Sequence, residues 1–470
     1  MLKRETVSRM ALGMSALIFA ACSHSPVDPN GSAILPTFTK LNVNGNPHNV
    51  LSAVVTVYAR NAAAVAVEFG SDSLFKQHTP FVSVNGDSAR VPVLGLEASR
   101  SYAMRAVAVS TSGHQIRSVP FSFSTPKLPD DLPRFSVLSS RSPADGFVLL
   151  GFTGSEFANK FYALIVDNSG RVVWYRRFPS AIADFQKQAN GRYTVFSSDD
   201  GSPLHFYELD FWGNITREFQ AGNGLDTGAH ELRLLDDGYC LFGIQFYEMN
   251  LSDFGGVQNA RIRCTVIEYH RGSTQALLWN PLEHFQVTDA APDVSLAAPN
   301  VNPWHGNAIE IDRDGNLLVS FRNSDEITKI NSRTGEIIWR LGGKKNQFTF
   351  VNDPLQGFSH QHGIRRLQNG NIILFDNGNL HAPPQSRAVE YKLDEQAKIA
   401  ELVWEYRHDP PLFGFALGFA QRIANGNTLI CYGTAQRIIE VDRAGIKQWE
   451  LAIDGPQIYA YRAFRIDSLY

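Results

Sequence analysis

Between residues 140 and 470, short apolar runs alternate with tight turns, and two stretches share one pattern. The segments 304–322 and 361–377 each hold a histidine, a half-apolar run, an Asp-Gly or Asn-Gly pair and a strongly apolar run. Such pairs between apolar runs predict β-hairpins, because both central positions of the turn tolerate positive φ. With turns centred near 313.5 and 369.5, His305 is expected opposite Arg322, and His362 opposite Asn377. Each histidine then lies beside a polar residue at one rim of its sheet.

The same pattern recurs six times, and the recurrence predicts the fold. Turn glycines mark the repeats, at Gly146, Gly191, Gly238, Gly315, Gly370 and Gly426. An aromatic residue usually ends each repeat: Trp174, Phe219, Trp279, Trp339, Trp404 and Trp449. Spacings of 45, 47, 77, 55 and 56 residues, without a helical period, are typical of a β-propeller. We therefore predict an all-β chain in which residues 140–470 form a six-bladed β-propeller. Residues 459–466 are expected to complete a blade begun near the start of the propeller.

Two histidines occupy equivalent positions in the repeats. His230 precedes Gly238 by eight residues, and His362 precedes Gly370 by eight residues. The innermost strand of each predicted blade lines a central channel, so both side chains are expected to face one axial funnel. A single histidine at a strand end is ordinarily a structural residue, but convergence by repeat geometry favours a shared site.

The first residues have the features of a secretory signal. A basic start is followed by an apolar run that ends at Ala21 and is too short to span a bilayer permanently. The four residues ending at Cys22 resemble a bacterial lipoprotein box, and an ordinary cleavage near Cys22 is the alternative. We therefore assign 1–22 to a lipoprotein-type signal and 23–33 to a polar tether. We expect export to the periplasm, with outer-membrane anchoring only through a lipid on Cys22.

A change in the sequence pattern marks a separate domain before the repeats. Alternating apolar and polar residues in 34–125 predict strands, and the run 101–109 resembles the Tyr-bearing strand of fibronectin type III sandwiches. We expect a small fibronectin/Ig-like β-sandwich over 34–125. Residues 126–139 are rich in proline at their start and are expected to be a stiff linker to the propeller domain at 140–470.

Composition narrows the classes of function. The 470 residues are 44% hydrophobic, which allows a large core, and a net charge of −3 gives no support for nucleic-acid binding. With Cys22 assigned to the lipid, Cys240, Cys264 and Cys431 remain, so at most one disulfide can form. Cys240 and Cys264 either pair or are buried free thiols. No motif predicts a metal site, a nucleotide-binding glycine loop or a cofactor.

Several motifs resemble those of the bacterial aryl-sulfate sulfotransferases, exported six-bladed propellers preceded by a small β domain. The motifs lie in the runs 304–307, 319–322, 334–339, 341–343, 361–362, 369–372 and 386–391. The resemblance covers most of 140–460 and implies transfer of a sulfuryl group between phenols, through a sulfohistidine and without an adenylyl sulfate donor. A phenolic sulfate and a phenolic acceptor are then the partners. A homodimer is left open.

The resemblance also implies residue roles. It assigns the nucleophile to His362, with His305, His230 and Arg322 as the other catalytic groups. We expect Asn307, Asn377 and Gln245 to contact the substrate. His360, next to the Gln-His element, departs from the family pattern, as does the absence of a cysteine pair that some members place before that element. Because Gly357-Phe358-Ser359 favours a loop, His360 is expected either at the rim or as a supporting group behind the reacting residues, with His362 facing the channel.

Elementary chemistry agrees with this interpretation. A sulfuryl group in transfer resembles a phosphoryl group, with charge spread over three oxygens, so it needs a nucleophile, donors to those oxygens and a proton route. A neutral imidazole suits the first role, and neighbouring positive charge keeps it neutral. Two alternatives stay open: a non-catalytic lipoprotein propeller that serves as a binding scaffold, and a quinoprotein-like dehydrogenase.

Overall fold

The computed structural model describes residues 34–154, 161–199, 201 and 203–470. The predicted signal, the lipid-bearing Cys22 and the tether therefore lie outside the described residues. The described chain is all-β, with helical turns of three residues only. Within it, no helix has both the length and the apolar character needed to cross a bilayer.

Two sheets share one core in the first part of the chain. Their strands are β1 (Thr37–Gly45), β2 (Ala53–Arg60), β3 (Ala64–Gly70), β4 (Gln77–His78), β5 (Val82–Ser83), β6 (Ser88–Val93), β7 (Ser101–Val109), β8 (Gln115–Arg117) and β9 (Phe121–Ser124). One sheet has the order β1-β2-β6, and the other is built on β3 and β7 with short strands beside them. Val55 and Val91 from the first sheet and Val67 and Met104 from the second are fully buried in this core, as the alternating pattern predicted.

The remaining strands run from Arg134 to Ile466. They are β10 (Arg134–Ser140), β11 (Phe147–Gly154), β12 (Tyr162–Val166), β13 (Val172–Arg177), β14 (Ala183–Lys187), β15 (Tyr193–Ser197), β16 (His205–Leu209), β17 (Ile215–Phe219), β18 (Asp226–Leu235), β19 (Gly238–Met249), β20 (Ala260–Arg271), β21 (Thr274–Trp279), β22 (Asn300–Val301), β23 (Gly306–Ile311), β24 (Leu317–Phe321), β25 (Glu326–Ile330), β26 (Ile337–Gly342), β27 (Thr349–Val351), β28 (His362–Arg366), β29 (Ile372–Asp376), β30 (Arg387–Asp394), β31 (Ile399–Arg407), β32 (Phe419–Arg422), β33 (Thr428–Cys431), β34 (Arg437–Val441), β35 (Lys447–Asp454) and β36 (Ile458–Ile466). Five 3₁₀ turns accompany them, at Ser252–Phe254, Pro281–Glu283, Val287–Asp289, Arg322–Ser324 and Gly433–Ala435.

These strands form six sheets, each with four antiparallel strands at its centre. The orders are β13-β12-β11-β36, β14-β15-β16-β17, β18-β19-β20-β21, β23-β24-β25-β26, β27-β31-β30-β29-β28 and β10-β35-β34-β33-β32. The short strands β22 and β27 add in parallel to β20 and β31. One edge strand from each sheet, namely β36, β14, β18, β23, β28 and β32, contacts the next to form a closed ring.

The ring closes through strands from both ends of this region. Strand β36 pairs with β11, so the prediction that 459–466 complete the first sheet is confirmed. Strand β10 pairs with β35 and adds to the sixth sheet, although all of its residues except Ser140 lie within the predicted linker at 126–139. The reason is that Phe135 and Val137 alternate with exposed residues and pack on the core between these sheets. The sheet therefore begins earlier than the sequence pattern indicated.

Tryptophans near the outer ends of the repeats join neighbouring sheets. Each indole N–H donates to an oxygen in a turn of the next sheet: Trp174 to Phe211, Trp279 to Gly335, Trp339 to Glu395, Trp404 to Arg443 and Trp449 to Asn168, at 2.8–3.1 Å. All but Trp404 are also fully buried. The recurring aromatic residue thus fixes the packing between sheets, because its ring is apolar and its N–H has a partner.

The predicted hairpin turns form with a different loop length. Asp312 N–H donates to Asn316 O, and Leu367 N–H donates to Asn371 O, so each loop has three residues rather than two. The glycine of each pair takes the positive φ, +79° at Gly315 and +94° at Gly370, as in a type I turn followed by a bulge. The predicted pairing of His362 with Asn377 was therefore wrong, and His362 pairs with Phe375.

Candidate active site

The structure brings the histidines predicted for the site to one place in the ring. The rings of His230 and His305 lie 4.7 Å apart, edge to face. His230 lies on β18, and His305 immediately precedes β23. Tyr461, on β36, packs edge-on against His230 with ring centroids 5.9 Å apart, and its hydroxyl donates to His230 O at 3.1 Å. Three ring strands or their ends therefore define this part of the site.

Arg322 lies beside His305, as the hairpin register predicted. Its backbone N–H donates to His305 O at 3.0 Å. Its guanidinium donates to Asn323 Oδ1 at 2.8 Å and to Phe415 O at 3.0 Å, both neutral acceptors. His305 has a φ of +52°, a backbone conformation that residues other than glycine rarely adopt. Such backbone strain concentrates at functional sites. The guanidinium charge is thus held in position without being neutralised by these contacts.

His362 is oriented by Asn377 rather than paired with it along the ladder. Asn377 donates its amide N–H groups to Gly414 O at 2.6 Å and Leu417 O at 2.9 Å, so its Oδ1 faces His362. That oxygen lies 2.7 Å from His362 Nδ1, and His360 O lies 3.1 Å from the same atom. Both are acceptors, so Nδ1 carries the proton and Nε2 keeps a lone pair. Asn377, predicted to contact substrate, is instead placed to set this tautomer.

A glycine next to His362 makes its position possible. Gly363 has a φ of +68°, and a Cβ there would lie 2.4 Å from Cδ2 of Phe419. A bulge in the β28–β29 pairing follows His362. The bulge re-aims the side chain at the start of the strand, a common device beside functional sites.

His305 has the opposite tautomer. The side-chain amide nitrogen of Asn302 lies 2.7 Å from His305 Nδ1. With the amide in this orientation Nδ1 accepts, and Nε2 of the neutral ring carries the proton. The site therefore holds one imidazole that offers a lone pair at Nε2 and another that offers an N–H at Nε2.

All three histidines are kept neutral. Burial, reinforced by the charges of Arg263, Arg462 and Arg322, lowers the pKa of His230 to about 3. Burial, with the neighbouring His230 and Arg322, holds the pKa of His305 well below its usual value. Burial also holds the pKa of His362 well below its usual value, aided mainly by Arg322 and opposed by the hydrogen bond that His362 donates to Asn377. Desolvation and nearby cations both disfavour a charged imidazole.

Asn307 is fully buried beneath these residues. It donates from Nδ2 to Gln361 O at 2.8 Å, and its Oδ1 has no hydrogen-bond partner among the described residues. Gln361 in turn donates to Ser320 Oγ and Glu326 O, both at 3.0 Å. The Gln of the Gln-His element is thus an anchor, while Asn307 retains one free acceptor at the site.

Gln245 lies elsewhere. On the β19–β20 pair, Arg263 is opposite Phe246, whereas Gln245 is opposite Cys264 and so lies on the other face. Its Oε1 accepts from Tyr247 at 2.5 Å. No contact among the described residues connects it to the histidines, so its predicted substrate contact has no support in this geometry.

Buried ion pairs, which the sequence did not reveal, join the ring strands below the histidines. Arg462 on β36 contacts Asp184 on β14 at 2.6 Å and Glu231 on β18 at 3.0 Å, and it donates to Asn307 O at 2.9 Å. Arg365 on β28 donates to Glu231 at 3.0 Å. Such a network fixes relative strand positions, because breaking one pair leaves a charge buried. The His230-Glu231 motif was the one signal for it in the sequence.

His360 has a role apart from the cluster, and it lies in a loop as expected. Its Nε2 lies 3.0 Å from Asp293 and its Nδ1 lies 3.1 Å from Asp325. Its backbone N–H also donates to Asp325 at 2.6 Å. These contacts turn both of its ring nitrogens toward carboxylates and leave His362 as the histidine of this pair that faces Arg322.

The cysteines of the described residues are unpaired, and their pairing can be read directly from the structure. Cys240, Cys264 and Cys431 are free and buried, which answers the question of pairing that the sequence left open. In the part of the chain that the structure describes, no group of three or more His, Cys, Asp or Glu side chains is placed to hold a metal ion.

Comparison with known proteins places this geometry in a family. No curated protein matches the chain. Among solved structures, a protein of unknown function from Bacteroides caccae is 14% identical over 68% of this chain and 98% of its own, with a TM-score of 0.43. A virginiamycin B lyase from Staphylococcus aureus is 12% identical over 67% of this chain and 88% of its own, with a TM-score of 0.33. At these TM-scores neither likeness supports a conclusion about function. The family model of Arylsulfotransferase (ASST) matches residues 132–458, well over half of the 470 residues. The chain belongs to the arylsulfotransferase family.

Proposed function

We propose that the protein transfers a sulfuryl group from a phenolic sulfate ester to a phenolic acceptor, through a sulfohistidine at His362 and without an adenylyl sulfate donor. Membership of the arylsulfotransferase family supports sulfotransferase activity and phenolic substrates. The observation that carries the proposal is the tautomer of His362. Its Nδ1–H is committed to Asn377, and Nε2 remains a neutral nucleophile beside Arg322.

The first half-reaction forms one bond and breaks one. The lone pair on Nε2 of His362 attacks sulfur as the bond from sulfur to the aryl oxygen breaks, and the bonding pair stays on that oxygen. The product is an Nε2-sulfated His362 and a phenoxide. In the second half-reaction the acceptor phenol gives its proton to solvent and its oxygen attacks the same sulfur. The bond from sulfur to Nε2 breaks, and its electron pair returns to Nε2, which restores the neutral imidazole. The sulfuryl group is thus transferred first to His362 and then from His362, so the enzyme alternates between a free form and a sulfated form.

Several groups are available to the sulfuryl oxygens. Arg322 is a cation whose hydrogen-bond acceptors are neutral, although Asp293 and Asp325 lie near enough for their charges to act on it, so its N–H groups can hold an anion. His305 offers an N–H from Nε2, and His230 has a buried Nδ1 without a hydrogen-bond partner among the described residues. Fixed donors of this kind stabilise charge that spreads over the three oxygens in the transition state.

The finer features of the fold and location belong to the same proposal. We infer that the six sheets are the blades of a β-propeller with the site at one mouth of its channel, and that 34–125 form an Ig-like sandwich. We also infer export and anchoring through a lipid on Cys22. Labelled palmitate should enter the wild-type protein in a bacterial host and should not enter the Cys22→Ala variant. Equal labelling of both would reject the lipid assignment.

A trapping experiment tests the chemistry. The protein is mixed with 4-nitrophenyl sulfate and no acceptor, and the peptides are examined by mass spectrometry for one added sulfuryl group. We expect a burst of one nitrophenol per enzyme and modification of His362. His362→Asn should lose the burst, whereas His114→Asn, at an exposed histidine of the first two sheets, should retain it.

Three outcomes contradict the proposal. Modification of His360 would move the nucleophile to a residue that faces two carboxylates. Full transfer to an added phenol, with no labelled residue and no burst, would replace the covalent route by direct transfer. No transfer at all by a folded protein would favour the binding-scaffold alternative.

A further inference from the structure

Arg263 is an unneutralised cation on the side of the site away from His362. It lies on β20 opposite Phe246, and the next residue on the same face is Thr265. A Cβ on Gly306 would lie 3.0 Å from Cγ2 of Thr265, so this face of β20 packs against β23 next to His305. Within the described part of the chain, no hydrogen bond or ion pair engages its guanidinium, and burial is the one cause that lowers its pKa.

The charges of Arg263 and Arg322 both lower the pKa of His230 and of His305, but they differ in their effect on His362. Arg263 is the strongest charge acting on the pKa of His230 and also lowers that of His305, but it is not among the main influences on His362. Arg322 is the strongest charge acting on His362. Strand β23 lies between β18 and β28 in the ring, so the sheet that carries Arg263 and the strand that carries His362 lie on opposite sides of His305. Arg322 follows β24, which also contacts β28.

In-line transfer separates the attacking and leaving atoms. The aryl oxygen departs on the side of sulfur opposite the nucleophile, so it leaves away from Nε2 of His362 and toward His230 and His305. Negative charge develops on that oxygen as its bond to sulfur breaks. Neither of these two histidines is positively charged in the free enzyme, so a neutral N–H is the most that either can offer. A cation on this side can therefore stabilise the negative charge on the departing oxygen.

We propose that Arg263 is a catalytic residue that binds the aryl oxygen and stabilises the phenoxide as it leaves. The proposal rests on the proposed function. The electron pair of the broken bond remains on the oxygen, Arg263 donates an N–H to it without losing its own proton, and the phenoxide takes up a proton from solvent after release. In the second half-reaction the same contact favours the ionised acceptor.

The dependence on the leaving group provides the test. Single-turnover rates of donor cleavage are measured with aryl sulfates that range from 4-nitrophenyl to phenyl and 4-methylphenyl. For Arg263→Gln we expect a loss of about 10²–10³-fold with phenyl sulfate and a much smaller loss with 4-nitrophenyl sulfate, whose phenoxide needs less stabilisation. The plot of log rate against phenol pKa therefore steepens. Arg263→Lys should recover part of the rate for the poor leaving groups.

Arg261→Gln is the matched control. Arg261 lies on the same face of the same strand, is exposed, and stacks on Phe246 with its guanidinium 3.7 Å from the ring centroid. Its replacement should leave the slope of log rate against phenol pKa as in the wild type. Because no hydrogen bond or ion pair among the described residues holds the Arg263 guanidinium, Arg263→Gln should unfold at the same temperature as the wild type or higher.

The outcomes separate this inference from the proposed function. An equal loss with every leaving group, or no loss, overturns the role of Arg263 while transfer by the wild type leaves the proposed function intact. Failure of the wild type to cleave any aryl sulfate removes the proposed function itself. A lowered unfolding temperature together with a uniform loss assigns Arg263 a structural role and also rejects the inference.

Discussion

The buried histidines should make the protein sensitive to acid, and His230 allows the effect to be measured. Its pKa lies at about 3 in the folded protein, against about 6.5 in an unfolded chain. Between these values the unfolded state binds more protons, so this contribution to stability is complete above about pH 6.5 and falls as pH decreases. The slope for one group is about 1.4 kcal/mol per pH unit, which amounts to about 2.7 kcal/mol at pH 4.5.

Comparison of wild type with His230→Gln isolates this contribution. Urea unfolding at about pH 7.5 and 4.5 should show that the variant loses about 2–3 kcal/mol less than the wild type on acidification. The comparison of the two proteins is needed because protonation of Asp184 changes the stability of both with pH in the opposite direction. Burial and the nearby Glu231 raise the pKa of Asp184 to about 7, so its contribution grows as pH falls from there. His114→Gln, at an exposed site, is the control. A difference below about 0.5 kcal/mol would mean that protons reach His230 freely, and the picture of a dry, cationic pocket would fail.

Two further substitutions test the support of the site. Gly363→Ala places a Cβ against an aromatic ring at a φ of +68°, so it should cost about 2–4 kcal/mol in urea unfolding and reduce donor cleavage; an unchanged rate would show that the bulge does not position the nucleophile. Arg387→Leu leaves Asp353 and Asp376 as buried carboxylates without their cation and should cost about 3–5 kcal/mol. Arg407→Leu, in a half-exposed pair, should cost less than about 1 kcal/mol, and equal costs would contradict the distinction.

The sequence pattern predicted the features that repeat. Alternation and turn glycines indicated the six groups of strands, and the hairpin containing Asp314-Gly315 placed His305 next to Arg322. The loop length was missed, because a type I turn with a bulge and a two-residue turn use the same Asp-Gly pair. Because the loop length was wrong, the predicted pairing of His362 with Asn377 along the strands was also wrong. The side chain of Asn377 nevertheless contacts His362.

Contacts across the ring were beyond the sequence pattern. Arg462 and Asp184 are neighbours because β36 and β14 adjoin in the closed ring, although many strands separate them along the chain. Arg263 sits in a strand whose alternation, Arg261-Ile262-Arg263-Cys264, is equally typical of an exposed face. Both arginines lie on one face of β20, and Arg263 is the one next to Thr265, whose side chain packs against Gly306 beside His305. Gln245 was misplaced for the related reason that alternation does not reveal which face meets the site.

The position of β36 determines when the site can exist. Tyr461 bonds to the backbone of His230 across 231 residues of chain, and β36 follows every other strand of the ring in the order of synthesis. A ribosome therefore releases the histidines, Arg322 and most of the six sheets before it releases the strand that joins the first sheet to the sixth. Until Ile458–Ile466 docks, the floor beneath the histidines has no Arg462 and stays open to water. Before this strand docks, the chain would need no inhibitor to remain inactive, and the onset of turnover would report the moment at which the ring closes.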